Sequence, residues 1–146
     1  MKKLALFSSI LAVVFVSGCA SVPKASKEKD MEAKTFKAPA QDQSGIYIYR
    51  DSFVGQALKK NVYIDGKLIG ETSNKVFFYS VVPSGAHKLS TESEFSDNTI
   101  DLETQGGKNY FVEQYIKMGA FVGGAALKVV TEEEGKKAVL KTSLAQ

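Results

Sequence analysis

One side chain in this sequence stands in a setting that prescribes a reaction. Cys19, the single cysteine among 146 residues, lies directly behind two small residues in Val16-Ser17-Gly18-Cys19. A thiol placed there is the nucleophile that takes a thioether-linked diacylglycerol, with Ser17 and Gly18 small enough for a peptidase cleft. Upstream, Lys2 and Lys3 precede an apolar run from Leu4 to Val16. That run of about 13 residues suits a secretory segment and falls short of the roughly 20 that span a bilayer. Residues 1–18 are therefore expected to leave as a signal peptide, with Cys19 as the new N-terminus.

The box resembles a bacterial lipoprotein signal. The resemblance implies diacylglycerol and an N-acyl chain, palmitate for example, on Cys19, and no other cofactor is expected. An Asp directly after the cysteine commonly retains such proteins at the inner membrane, but here Ala20 and Ser21 follow. The expected location is thus the outer membrane, on its periplasmic face. Each buried methylene contributes about 0.8 kcal/mol, so several acyl chains anchor the protein in effect permanently.

No second constellation of reactive residues stands out. His87 is the only histidine, so a His-activated nucleophile would have to be a serine such as Ser80, Ser84 or Ser90, and none sits in a nucleophile-elbow context. Beside Pro83-Ser84-Gly85, His87 reads as a turn-edge residue bonded to backbone. Glu92, Glu94 and Asp97 lack the spacing of a calcium loop, and with the thiol acylated a metal would find only carboxylates and one imidazole. The expectation is a protein that is not an enzyme and holds no metal. Removing Lys2 and Lys3 leaves 17 basic against 16 acidic residues, a balance that carries no nucleic-acid footprint. With its one cysteine acylated, the chain forms no disulfide and depends on a hydrophobic core.

Residues 19–44 mix Lys, Glu and Asp with Ala, Ser, Pro23 and Pro39, and read as an acylated N-terminus and a flexible, solvated tether. A short helix over about 27–37 is the rival reading, but Met31, Ala33 and Phe36 make no continuous stripe. Residues 45–146 hold short runs rich in Val, Ile, Tyr and Phe separated by turn residues, which predicts a small antiparallel β-sandwich of seven or eight strands. Ile46 and Ile48 alternate with Tyr47 and Tyr49. Asp65-Gly66 between apolar runs predicts a two-residue type I′ hairpin. Residues 75–82, apolar on both faces, read as the core strand, and Pro83-Ser84-Gly85 as a turn. Met118 to Ala126, with three glycines and three alanines, reads as a loop with an apolar tip. Thr131 and Glu134 form a capping box that opens one short C-terminal helix.

Gly45-Ile-Tyr-Ile-Tyr-Arg50, Val62-Tyr-Ile-Asp-Gly-Lys-Leu-Ile-Gly70, Val82-Pro-Ser-Gly-Ala-His87 and the late Lys-Val-Val-Thr-Glu-Glu-Glu stretch are similar to the domain of unknown function 2846 family, bacterial envelope lipoproteins. The central hairpin also resembles PEGA-type modules, although Pro83 here precedes Ser-Gly rather than Glu-Gly. Both resemblances imply a small β-sandwich displayed on the envelope, and neither brings catalytic residues. The function expected is that of an outer-membrane-anchored periplasmic lipoprotein whose non-catalytic sandwich binds or supports another envelope component. A structural subunit of a lipoprotein assembly and a cell-wall-acting enzyme are the alternatives. Beyond the membrane itself, the candidate partner is an envelope protein or a cell-wall glycan. The candidate binding surface is Tyr47 and Tyr49 on one strand face, with Phe121 and Val122 at the loop tip; the competing reading places the tyrosines in the core and tucks Phe121 and Val122 over the sandwich end.

Overall fold

The computed structural model describes residues 20–146, so the expected signal peptide and Cys19 lie outside the described residues. The elements run α1 (Lys27–Ala33), β1 (Gln43–Arg50), β2 (Lys60–Ile64), β3 (Lys67–Thr72), β4 (Val76–Pro83), β5 (Gly85–Thr91), β6 (Asn98–Thr104), β7 (Asn109–Lys117), β8 (Gly124–Val130), α2 (Glu132–Leu140) and β9 (Ser143–Leu144). A five-stranded sheet in the order β8-β7-β1-β4-β9 faces a four-stranded sheet in the order β3-β2-β5-β6. The chain is mainly β, as its turn spacing predicts.

The alternation in β1 explains the layering. Ile46 and Ile48 point between the sheets and pack with Val62, Ile64, Leu89, Leu102, Val112 and Leu127. Tyr47 and Tyr49 point the other way, into a second cluster with Phe77, Phe111, Ala33 and Val139. The two helices roof this second cluster, so β1 is buried on both faces and, rather than β4, is the innermost strand. Tyr47 and Tyr49 are only 1% and 4% exposed. The expectation that they form a binding surface is therefore corrected: the helices cover the face they occupy. Tyr47 stacks on Phe111 at 4.9 Å and on Tyr79 at 4.4 Å between ring centroids, and burial raises its hydroxyl pKa.

The predicted local signals appear at their residues. Asp65 (φ 51°) and Gly66 (φ 77°) turn β2 into β3 with both residues left-handed, the geometry of a type I′ turn. Thr131 and Glu134 form the capping box of α2, the Thr131 side chain accepting from the Glu134 N–H. Gly135 brings α2 close onto Phe111, where a Cβ would collide with the ring. Two pairings are parallel, β1 with β7 and β4 with β9, and the other strand pairs are antiparallel.

The segment expected to be a solvated tether is docked instead. Lys24 bridges Ala145 in antiparallel fashion, Ala25 N donates to Leu144 O at 2.8 Å, and Gln146 N donates to Pro23 O at 3.0 Å. Val22 is buried against Val76, Phe78 and Ala145. Ser26 caps α1, whose attachment is largely polar. Tyr47 donates its hydroxyl to Ala33 O at 2.8 Å, Lys34 Nζ reaches Thr142 O at 2.6 Å, and Asp30 accepts from Leu144 N at 2.7 Å. Asn109 Nδ2 then holds Phe36 O at 3.0 Å. These are long-range hydrogen bonds, which is why no apolar stripe announces the helix. Among the described residues, no helix is long and apolar enough to cross a membrane.

Candidate functional site: an apolar tip built from three loops

Strand directions define two unlike ends of the sandwich. β1 ends at Arg50 opposite Val76, and β7, parallel to β1, runs past that point in the same direction to end at Lys117. In the other sheet, the start of β2 lies next to the end of β5. Residues 51–59, 92–97 and 118–123 therefore emerge together at one end, the tip. The turns at residues 65–66, 83–85 and 105–108 lie at the opposite end, the base.

The tip is strongly apolar. Phe53, Phe95, Met118 and Phe121 are each more than 80% exposed, and no other large apolar side chain among the described residues reaches that level. Val54 and Val122 are exposed beside them. Phe121 and Val122, singled out from the sequence, do not tuck over the sandwich end. The Phe53-Val54 pair and Phe95 escape sequence reading because neither belongs to a longer apolar run, and only the fold brings the three loops together.

Each loop is held by a buried or satisfied polar group. The Glu94 carboxylate accepts from Ala120 N at 2.6 Å, Phe121 N at 2.5 Å and Val122 N at 3.4 Å, fixing loop 118–123 to loop 92–97. Glu92 O takes Ala125 N at 3.0 Å. Loop 51–59 is organised by Arg50, a fully buried guanidinium. Its Nη1 donates to Leu58 O at 2.7 Å and its Nη2 to Gly55 O, while Nε has no partner. No carboxylate pairs with this cation among the described residues, and burial lowers its pKa. Beneath the tip the two sheets are joined by a buried polar relay. Gln114 Nε2 donates to Thr91 Oγ1 at 2.7 Å, Thr91 Oγ1 donates to Asn61 O at 2.8 Å, and the Thr72 hydroxyl lies between Gln114 Oε1 and Lys60 O. Such satisfied networks fix one geometry, because any looser arrangement strands polar atoms away from water.

At the base, His87 is buried between two acceptors. Its Nδ1 lies 2.6 Å from Asp65 Oδ2 and its Nε2 lies 2.7 Å from Pro83 O. A carbonyl and an ionised carboxylate only accept, so this pair of contacts favours the imidazolium, in which both ring nitrogens donate. Burial opposes that charge, but Asp65 and the Pro83 carbonyl outweigh it and raise the His87 pKa. A shallow depression of about 420 Å³ adjoins the pair, lined by Asp101 and Glu103 among others. With both nitrogens engaged, His87 has none free to take a proton from a nucleophile. None of Ser80, Ser84 and Ser90 bonds to it among the described residues. The imidazolium instead ties the β2–β3 turn to the β4–β5 corner.

Two further features bear on chemistry. A groove of about 570 Å³ runs under α1 over Tyr79 and Val81, rimmed by Lys29, Glu32 and Lys37. Among the described residues, no group of three or more His, Cys, Asp or Glu side chains is placed to hold a metal ion.

The family model described as "Protein of unknown function (DUF2846)" matches residues 40–125. A Haemophilus influenzae protein described as "Uncharacterized protein" is 53% identical over 146 residues, covering 99% of this chain and 87% of that one. No solved structure matches the chain.

Proposed function

For this chain, which belongs to the DUF2846 family, we propose the role of a lipid-anchored, non-catalytic envelope protein that docks another envelope component through its apolar tip. Cys19 is the acylated residue and the outer membrane's periplasmic face the location, a reading supported by Val16-Ser17-Gly18-Cys19 with Ala20 behind it. The observation that carries the docking role is the convergence of Phe53, Phe95, Met118 and Phe121 at one end of the sandwich. Exposed apolar side chains gathered at one end of a domain mark an interaction site. Because Glu94 and Arg50 already order the loops, little entropy is lost on association.

Two measurements test this. Cys19→Ala abolishes incorporation of labelled palmitate and membrane attachment; a processed, membrane-bound C19A protein overturns the anchor. A photo-crosslinking residue placed in turn at Phe53, Phe95 and Phe121 gives one shared adduct in intact cells, and the same residue at Leu68 or Val129 on the sheet faces does not. Adducts from the faces but not the tip would sink the docking role.

A further inference from the structure

We infer that the outer edge of β4 beyond β9 receives an extended peptide segment of another protein, one carrying acidic side chains, which joins the five-stranded sheet as a further strand. The direction of the backbone carries this. In a strand the N–H and C=O of one residue point to the same side, and the side alternates from residue to residue. Ala145 N donates to Phe77 O at 2.9 Å, so at Phe77 these groups face away from β1. Gly45 N donates to Lys108 O at 3.0 Å, which turns the odd-numbered positions of β1 toward β7 and leaves Tyr47 opposite Tyr79 as a pair that exchanges no backbone bonds. Tyr79 and Val81 therefore direct their N–H and C=O groups outward, as Phe77 does. β9 pairs only with Val76 and Phe77, and among the described residues no backbone hydrogen bond reaches Tyr79 or Val81 from that side.

Two grooves flank this stretch. On the helix face lies the groove of about 570 Å³, with Tyr79, Val81 and Leu144 in its wall and Lys29 and Lys37 on its rim. On the face toward the other sheet lies a second, of about 440 Å³, lined by Ile64, Ile69, Val82 and Lys67 among others, and Val81 borders both. An added strand sends alternate side chains to opposite faces, so backbone bonds to β4 and side chains in both grooves form together. The other sheet edges are blunted: β3 carries Lys67 and Glu71, β6 Asp101 and Glu103, and β8 Lys128, charges of the kind that discourage strand addition. Tyr79-Ser80-Val81-Val82 carries none, and Val81 is 48% exposed.

Charge selects the occupant. Lys29, Lys37 and Lys67 have no ion-pair partner among the described residues. Of the acids beside the grooves, Asp65 is already engaged by His87 and the Lys88 N–H, which leaves Glu32. That balance favours a peptide with carboxylates. A second copy of this chain, added antiparallel through its own β4, would bring another Lys29 and Lys37 to the same face of the joined sheet. A lipid surface would leave the outward backbone groups without partners.

The test uses the full chain as the cell processes it, isotope-labelled for magnetic resonance in detergent micelles, and a blocked pentapeptide alternating glutamate and valine. The Tyr79 and Val81 amide signals are expected to shift and their hydrogen exchange to slow, while Phe53, Phe95 and Phe121 at the tip stay unmoved. Val81→Pro removes an N–H that β1 does not use, a change an edge position tolerates, and weakens the peptide about tenfold. Lys37→Glu leaves the backbone untouched and also weakens it, and the same peptide with lysine in place of glutamate binds less than the acidic one. If the proline variant fails to fold, Lys37→Glu and the lysine peptide decide. No shift with the peptide at millimolar concentration overturns the inference, as do undiminished binding by Lys37→Glu and shifts confined to the tip. Tyr79 and Val81 amides already protected in a dimer without peptide would make a second copy the occupant and overturn it as well.

Discussion

Replacing Asp65 by asparagine isolates the charge opposite His87. Asparagine matches aspartate in size, tolerates the left-handed φ of 51°, and keeps an oxygen for the Lys88 N–H that Asp65 Oδ1 accepts at 2.8 Å. What disappears is the carboxylate 2.6 Å from the imidazolium. Hydrogen bonds to charged groups contribute about 1.5–3 kcal/mol. The Asp65 side chain is 49% exposed, and solvent screening brings the expected loss to about 1–2 kcal/mol. At roughly 4 °C per kcal/mol for a chain of this size, the melting midpoint falls by about 4–8 °C. The pH dependence fixes the cause. Burial works against the charge on His87, but Asp65 and Pro83 O hold its pKa above the ordinary 6.5. Its contribution is full below 6.5 and fades as pH rises through the raised value. Asp65 is held below 3.8, first by the His87 hydrogen bond and then by the Lys88 N–H. Its contribution is full above 3.8 and is lost as pH falls through the lowered value. Melts followed by circular dichroism should therefore show the largest deficit of D65N near about pH 5.5, shrinking toward about pH 9 and again in strong acid. Equal midpoints near pH 5.5, or an undiminished deficit in alkali, would refute the imidazolium.

Gly135→Ala adds a methyl that meets Phe111 under α2. The helix gains about 1 kcal/mol of propensity, but overpacking costs about 1–3 kcal/mol, so urea unfolding should show net destabilisation; a more stable variant would contradict the close helix–sheet contact. Glu94→Gln leaves one carbonyl oxygen where two carboxylate oxygens held three amides. Hydrogen exchange at Ala120, Phe121 and Val122 should accelerate with global stability changed by less than about 1 kcal/mol, and unchanged protection would show that the carboxylate does not order the loop.

Signals confined to neighbouring residues were readable in the sequence. Asp65-Gly66 sets both left-handed residues of its turn, Thr131 and Glu134 cap α2 across one helical turn, and the Ile/Tyr alternation of β1 sorts the side chains to two faces. Which neighbours cover those faces was not readable. The parallel pairing of β1 with β7 joins residues as distant as Gly45 and Asn109, and nothing local encodes it. Helix α1 buries Ala33 while Met31 stays exposed, so its apolar pattern is weak and Tyr47, Asn109 and the C-terminal strand decide its position. The tip was half legible. The Gly- and Ala-rich loop declared itself by composition, whereas Phe53 and Phe95 acquire meaning only when β2 and β5 lie side by side.

The pairing of Pro23 and Lys24 with the last residues of the chain has a consequence for the order of assembly. Residues 22–25 leave the ribosome well before the strand they complete, through Ala145 and Gln146. Without it, β4 stands as a bare edge, and an unpaired edge is where strands join the wrong neighbour. Long-range closure of this kind also slows folding relative to local contacts. In this arrangement the open edge of β4 at Val76 and Phe77 is closed only once residues 143–144 have paired with it and residues 23–25 have paired with the segment that follows.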